Sequence, residues 1–366
     1  MKFTAERESL LTALQAIVGV VERRQTMPIL SNLLLKADDN RLTLTATDLE
    51  IELVTFLDAE VSQPGSTTVP ARKLLDIVRG LPPQADIAVA MEEQRVRVSS
   101  GRSRFALSSL PANEFPFLDE IETGQSLTLD QKVLKRLIDR TQFAMAHQDV
   151  RYYLNGLLIV LQSTGLRAVA TDGHRLALSD ADAETGMDES RQVIVPRKAI
   201  TELQRLLGEV DSEVRITLSD NHMQVVLPTL RFTTKLIDGR FPDYERVIPE
   251  VGDKRVVGDR ELVRQALSRT AILSNEKFKG VRLSLDENRL SLQAQNPDQE
   301  EAEDEIEVVY DGAPLEIGFN VSYLLEALGA MTGESFSLEL TGPDSSGLLR
   351  DESDRSSQYV VMPMRL

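Results

Sequence analysis

The chain has 366 residues, and 41 Lys and Arg against 58 Asp and Glu give a net charge of 41 − 58 = −17 at pH 7. That length is too great for one ordinary core and fits two or three domains. With no cysteine and no tryptophan, disulfides, thiolate chemistry and cysteine-ligated zinc are excluded. The acidic balance disfavours a polyanionic partner, so any contact with DNA must be confined to a local basic surface.

The N-terminus, Met1 to Glu8, carries charges where a leader peptide would need an apolar run, and apolar stretches such as Leu157 to Leu161 are far below bilayer-spanning length. The expectation is a cytoplasmic protein with no membrane partner. In chain order, apolar periodicity predicts helices over 6–18, 72–79, 131–145, 197–207, 259–273 and 321–331. Alternating stretches such as Arg41-Leu42-Thr43-Leu44-Thr45 and Arg95-Val96-Arg97-Val98-Ser99 predict half-buried strands. The acidic run Asp298 to Glu307 reads as a solvated loop.

The pattern recurs three times. Leu42-Thr43-Leu44-Thr45-Ala46-Thr47-Asp48 returns as Leu166-Arg167-Ala168-Val169-Ala170-Thr171-Asp172, then more loosely as Leu290 to Asn296, at spacings of 124. Val69-Pro70 with Arg72-Lys73 returns as Val195-Pro196-Arg197-Lys198, a place taken in the third copy by Phe319 to Tyr323 without the basic pair. Arg104-Phe105, Arg231-Phe232 and Gln358-Tyr359 keep spacings of 127. Repeats over 1–125, 126–250 and 251–366 follow, each closing its own α+β core with two helices. Neighbouring repeats can pair their sheet edges. The first and third would each keep a free edge, which joining chains end to start would cover, closing a ring if the rotation allows.

Over 131–145 an apolar face of Val133, Leu134, Leu137, Ile138 and Thr141 is predicted, with Lys132, Arg136 and Arg140 on another face and Lys135 beside them. Over 259–273 the plan repeats, with Leu262, Val263, Ala266 and Leu267 inward and Arg260 and Arg264 outward. Arg72, Lys73 and Arg79, then Arg197, Lys198 and Arg205, add base to the shorter helices. Any single helix of this kind has an ordinary solvated-face explanation. Recurrence on equivalent helices of an acidic chain points to one surface facing a polyanion, read through phosphates and not bases.

Catalysis has little to stand on. His147, His174 and His222 are the only histidines, and Thr171-Asp172-Gly173-His174-Arg175 lacks a nucleophile elbow or phosphate loop beside it. Two features break the repeat symmetry: the turn Gly173-His174-Arg175-Leu176, absent from copy one, where Leu49-Glu50 stand, and the apolar tail Val360 to Leu366. The tail reads either as core or as an adaptable surface for partner peptides. A soluble peptide-binding scaffold without a DNA role remains open at this point.

Several runs carry a resemblance: Val69-Pro70-Ala71-Arg72-Lys73, Met145 to Gly156, Ala170-Thr171-Asp172-Gly173-His174-Arg175-Leu176, Asp238-Gly239-Arg240-Phe241-Pro242-Asp243-Tyr244, Leu273 to Phe278, and Tyr359 to Leu366. Across its full length the sequence resembles the β subunits of bacterial DNA polymerase III, the β sliding clamps. The resemblance implies a head-to-tail homodimer of three-repeat chains, with helices lining a hole around double-stranded DNA and sheets outside, and neither cofactor nor metal.

It also implies DNA contacts at Arg24, Arg72, Gln148, Tyr152 and Tyr153. A partner-peptide groove is implied at Leu154, Thr171, Gly173, His174, Arg175, Leu176, Pro242, Arg246, Val247, Phe278, Asn320, Tyr323, Val360, Met362, Pro363, Met364 and Arg365, and subunit contacts at Phe105, Ile272 and Leu273. Implied partners are the polymerase III α subunit, an ATP-driven clamp loader, other DNA polymerases, mismatch repair proteins and ligase, all through short hydrophobic motifs. Gly342-Pro343-Asp344-Ser345-Ser346 departs from the more apolar rim loop the resemblance leads one to expect, which bears on partner preference.

Overall fold

The structure is a computed structural model describing residues 1–21, 27–119, 121, 124–186, 190–208, 210–250 and 252–365. Among the described residues six α-helices stand where periodicity places them: α1 (Arg7–Ile17), α2 (Ala71–Gly80), α3 (Gln131–Thr141), α4 (Arg197–Leu206), α5 (Arg260–Thr270) and α6 (Val321–Ala330). The ends of the predicted helices over 131–145 and 259–273 tighten into 3₁₀ turns, Gln142–Ala144 and Ala271–Leu273. Local chemistry sets two of the starts. The Asp259 carboxylate accepts from the Leu262 amide (2.8 Å) to cap α5, and the Asn320 side chain accepts from the Ser322 amide (2.9 Å) to cap α6.

Contacts gather the chain into two compact units, residues 1–132 with 201–236, and residues 133–200 with 237–366. The middle repeat is therefore shared between them, because its strands complete the sheets of both neighbours. In the first unit an eight-stranded antiparallel sheet runs 125–130, 213–218, 222–227, 230–235, 51–58, 41–47, 32–38, 65–70. Its join between repeats is strand 230–235 on strand 51–58, with Phe232 opposite Leu53. A five-stranded sheet (60–63, 2–6, 86–92, 95–100, 103–108) leaves strand 103–108 at its edge. Val96 and Val98 are wholly buried between outward arginines, as their alternation requires.

In the second unit the eight-stranded sheet runs 191–196, 156–162, 165–171, 175–182, 357–361, 347–351, 335–340, 254–259. Its join is strand 175–182 on strand 357–361, Ala177 opposite Tyr359. Gly156–Leu161 is buried on both faces, so its near-continuous apolar run marks a central strand. A four-stranded sheet ends in strand 301–307. The acidic run is thus largely an edge strand and not a loop. Half-buried Ala302, Asp304 and Ile306 alternate with exposed glutamates, and Arg269 reaches Asp304 at 2.7 Å.

Candidate DNA surface and peptide groove

Two side chains depart from the predicted basic stripe. Arg140 is buried: its guanidinium donates to the Asp354 carboxylate (2.6 Å) and to the hydroxyls of Ser356 (3.0 Å), Ser357 (3.2 Å) and Thr332 (3.3 Å). It fastens repeat two to repeat three and is withdrawn from any polyanion. Burial pushes the Asp354 carboxyl up, but hydrogen bonds from Ser356 and Arg140 outweigh it and hold the group at about 2. On α5, Leu262 is 55% exposed and not inward, while Arg260 turns to the carbonyls of Gly333 (2.7 Å) and Leu328 (3.3 Å).

Other cations of the set stand at the surface. Arg72 is exposed on α2, with one guanidinium nitrogen 3.0 Å from the Val21 carbonyl, and Lys73 and Arg136 are exposed on α2 and α3. Lys132 bonds Asp211, and Arg264 bonds Glu261 at 2.8 Å. Arg205 donates to the carbonyls of Gln15 (3.1 Å) and Ala16 (2.6 Å), the last turn of α1, where a cation complements the helix dipole. Arg24 lies outside the described residues.

Gln148, Tyr152 and Tyr153 sit on a loop fixed by its own polar groups. The Asn155 side chain accepts from the Asp149 amide and donates to the Asp149 carbonyl, both at 2.9 Å. Arg151 clamps the Asp149 carboxylate through its amide (2.8 Å) and guanidinium (2.9 and 3.0 Å), holding that carboxyl down to about 2. The loop thereby presents Gln148, with φ of 55°, and Tyr152, 56% exposed. Tyr153 meets Tyr152 edge to face at 5.7 Å and packs against the core below, so the pair divides between surface and packing.

The turn of copy two and the tail of copy three come together, the two features that break the repeat pattern. Arg175 pairs with Val361 and Leu176 with Val360, and the Met362 amide donates to the His174 carbonyl at 2.9 Å. The Met364 amide continues to the Gly318 carbonyl at 2.8 Å. Leu154, Leu176 and Val360 are buried in one cluster with Phe241 and Tyr244, so they form a floor, while Met362, Pro242 and Arg246 are exposed and Pro363, Met364 and Val247 half-buried above it. The tail thus divides, with Tyr359 to Val361 in the core, Met362 and Arg365 exposed, and Pro363 and Met364 half-buried between them. Phe278 is 56% exposed, and its carbonyl accepts from the Asn320 side chain at 3.4 Å.

Arg175 orders the wall. Its guanidinium bonds Asp172 (3.0 Å), the Phe143 carbonyl (2.7 Å) and Glu326, and lies 4.4 Å from the Tyr323 ring centroid. An open pocket of about 520 Å³ lies here, lined among others by His147, Asp172, His174, Arg175 and Tyr323. The rim loop Gly342 to Ser346 is a hydroxyl-closed turn, Ser345 accepting from the Thr341 (3.1 Å) and Gly342 (2.9 Å) amides, beside the pairing of Gly347 with Val361. A larger open depression, about 1340 Å³ in the first unit, is lined by Glu6, Glu8, Asp39, Asp58, Glu60 and Asp86 together with Arg41, Phe56, Leu57 and Leu230, an acidic balance that does not suit DNA.

One feature was misread from sequence: the backbone of the Gly173 turn is not confined to copy two. Thr47 and Asp48 build the same turn in copy one, with the Leu49 amide on the Thr47 hydroxyl (3.0 Å) as the Gly173 amide is on Thr171 (3.1 Å). The Thr-Asp pair is the same in both, and the copies differ in the three residues that follow, Leu49-Glu50-Ile51 against Gly173-His174-Arg175.

Among the described residues no group of three or more His, Cys, Asp or Glu could hold a metal ion, and no helix is long and apolar enough to cross a membrane. The edge contacts expected for dimerisation are accessible: Phe105 is 36% exposed on strand 103–108, Ile272 is 77% exposed, and Leu273 is half-buried.

An apolar floor at the sheet join between repeats two and three, with exposed basic side chains on helices α2 and α3, defines a binding surface. Comparison with known proteins places it. Family profiles for the N-terminal, central and C-terminal domains of the DNA polymerase III beta subunit match residues 1–119, 128–243 and 245–365. The beta sliding clamps of Pseudomonas putida and Escherichia coli K12 are 55% and 52% identical, covering all of both chains. A crystal structure of the DNA polymerase III subunit beta from Pseudomonas aeruginosa superposes with a TM-score of 0.97 at 54% identity, again over all of both chains. The chain belongs to the DNA polymerase III beta subunit family: non-catalytic, homodimeric processivity clamps that tether the polymerase to DNA through a hydrophobic peptide-binding groove.

Proposed function

We propose that two copies of this chain close head to tail into a ring around duplex DNA, from three clamp domains each over 1–125, 126–250 and 251–366. The observation that carries the reading is the pair of complementary free edges. Strand 103–108, flanked by Arg102 and bearing Arg104 and Phe105, is a basic edge. Strand 301–307, with Glu301, Glu303, Glu305 and Glu307 beside Ile272 and Leu273, is an acidic one. Pairing them hides two edges and two apolar side chains at once.

Duplex DNA would meet Arg72, Gln148, Tyr152 and Tyr153, with Arg24, Lys73, Lys132, Arg136 and Arg264 adding sequence-independent charge. Affinity can then remain low, because enclosure and not adhesion retains the ring. The groove floored by Leu154, Leu176 and Val360 takes hydrophobic segments of the polymerase α subunit, the clamp loader, other polymerases, mismatch repair proteins and ligase. A cytoplasmic setting accords with the cysteine-free composition.

The chain has no native cysteine, which makes the interface directly testable. Phe105→Cys with Ile272→Cys, or with Leu273→Cys, should give on mild oxidation a covalent dimer linked at both junctions, and each single variant should give none. Absence of any crosslinked dimer from both pairs would sink the head-to-tail assignment.

A further inference from the structure

The acidic depression of the first unit holds more negative charge than its own residues neutralise. Glu8 accepts from Arg7 (3.2 Å) and from the Gln84 amide (3.1 Å), and Glu6 from the Ser9 hydroxyl (3.3 Å). Asp39, Asp58, Glu60 and Asp86 are exposed and, among the described residues, make no ion pair or side-chain hydrogen bond. Arg41, the one cation among the lining residues, pairs with none of them; its guanidinium lies over Phe56, 4.2 Å from the ring centroid.

A buried hydroxyl at the same place also lacks a partner. Thr55 lines the depression, is 3% exposed, and stands opposite Leu44 in one ladder and Leu230 in the other, so its side chain shares their face of the sheet. Leu230 lines the depression too. Thr55 Oγ1 has no hydrogen-bond partner, an exception for a buried polar atom and one that a ligand can relieve.

The backbone beside Thr55 is open as well. Strand 51–58 outruns strand 230–235: their pairing ends with Thr55 opposite Leu230, and the Phe56 amide then reaches the Thr229 carbonyl at 3.1 Å. Leu57 and Asp58 keep a strand partner only on the side of Leu42 and Arg41. A free sheet edge accepts an extended chain through main-chain hydrogen bonds.

We propose that this depression is a docking site for an extended basic segment of a partner protein. Its lysine or arginine side chains meet Asp39, Asp58, Glu60 and Asp86, its main chain lies along the edge at Leu57 and Asp58, and one of its polar groups bonds the Thr55 hydroxyl. Two observations favour a peptide over a small cation. The carboxylates do not converge on a metal site among the described residues, and about 1340 Å³ exceeds the roughly 300–1,000 Å³ of small-molecule sites. This site and the groove at Gly173 lie in different units and select opposite chemistries, so neither depends on the other.

The test uses the full-length dimer and a fluorescein-labelled octapeptide alternating lysine and valine, titrated by anisotropy at low salt. Wild type should bind one peptide per chain. Asp58→Asn with Glu60→Gln should weaken binding about tenfold, and Thr55→Val, which keeps the shape and removes the hydroxyl, about fivefold. Glu287→Gln with Asp298→Asn, an equal loss of charge from the exposed surface of the second unit, should leave affinity unchanged, and thermal melts confirm that each variant folds. Peptide methylated on alternate main-chain nitrogens, with its charge kept, should bind about tenfold more weakly than the parent. Equal weakening by the two charge-removing pairs would mean diffuse attraction to an acidic protein and overturns the site. Indifference to N-methylation, or displacement of the peptide by an equal concentration of spermidine, would make it a site for small cations and overturns the peptide reading. No binding by wild type at low salt overturns both.

Discussion

The Arg140 guanidinium lies 2.6 Å from the Asp354 carboxylate, joining helix α3 of repeat two to the last loop of repeat three within one compact unit. This ion pair stands close behind the strand join that carries the peptide groove, since Ser357 contacts both Arg140 (3.2 Å) and Ser179 (2.9 Å) on strand 175–182. The groove is thus anchored by a polar clasp as well as by the β-ladder.

Removing the cation leaves the Asp354 carboxylate with the hydrogen bonds from Ser356 but no opposite charge beside it. Arg140→Ala should destabilise the second unit by about 2–3 kcal/mol, short of the full cost for a wholly buried pair because Asp354 keeps some contact with water. The Asp354 carboxyl is held at about 2 in the folded chain against an ordinary 3.8. A depressed carboxyl stabilises the fold fully above the unfolded value, and that share is lost as pH falls from about 4 towards 2. Urea midpoints across pH 2–7 check this: Asp354→Asn should start lower at neutral pH and lose less on acidification.

Deleting residues 362–366 should abolish polymerase binding while leaving the dimer intact, because the ladder ends at Val361 and Met362 to Arg365 are exposed or half-buried beyond it. Gel filtration beside a peptide-binding titration separates the two effects. Loss of dimer together with binding would make the tail structural.

Arg136→Glu with Lys73→Glu should shorten residence on DNA and flatten its dependence on salt, with stability changed by less than about 0.5 kcal/mol since both side chains are exposed. Arg140→Glu should do the reverse, lowering stability first. Thermal melts and DNA residence times at two salt concentrations distinguish them.

The proposed subunit contact is charge-complementary, so its affinity should fall with ionic strength. Arg104→Glu should weaken dimerisation about tenfold, roughly 1.4 kcal/mol. Adding a Glu303→Arg exchange should restore part of the loss if the two edges meet, as read by analytical ultracentrifugation.

Much of the architecture was legible in the sequence because turn, strand and helix patterns repeat at a fixed spacing, and periodicity survives substitution. What one helix cannot reveal is the reach of a long side chain into a neighbouring repeat. Arg140 occupies the same stripe as Arg136 on a helical wheel, and only the position of Asp354 turns it inward. Leu262 failed for the converse reason, since an apolar residue next to Val263 looks like core until the packing partner is known. Strand 301–307 was hidden because its alternation is carried by small and acidic residues whose charge dominates the pattern. The shared turn at Leu49 was missed although the Thr-Asp pair that builds it recurs in both copies, because the residues after that pair, Leu49-Glu50-Ile51 against Gly173-His174-Arg175, look unrelated. Conversely, the tail and the Gly173 turn could be singled out as exceptions to the repeat.

The most direct measurement is retention on circular DNA. Labelled protein is loaded with its clamp loader onto a nicked plasmid, free protein is removed, and the bound fraction is followed in high salt before and after a single restriction cut. A closed ring predicts retention on the uncut circle and loss on linearisation, as protein slides off the ends. Retention indifferent to the cut but abolished by salt would mean ordinary electrostatic binding and would contradict the ring.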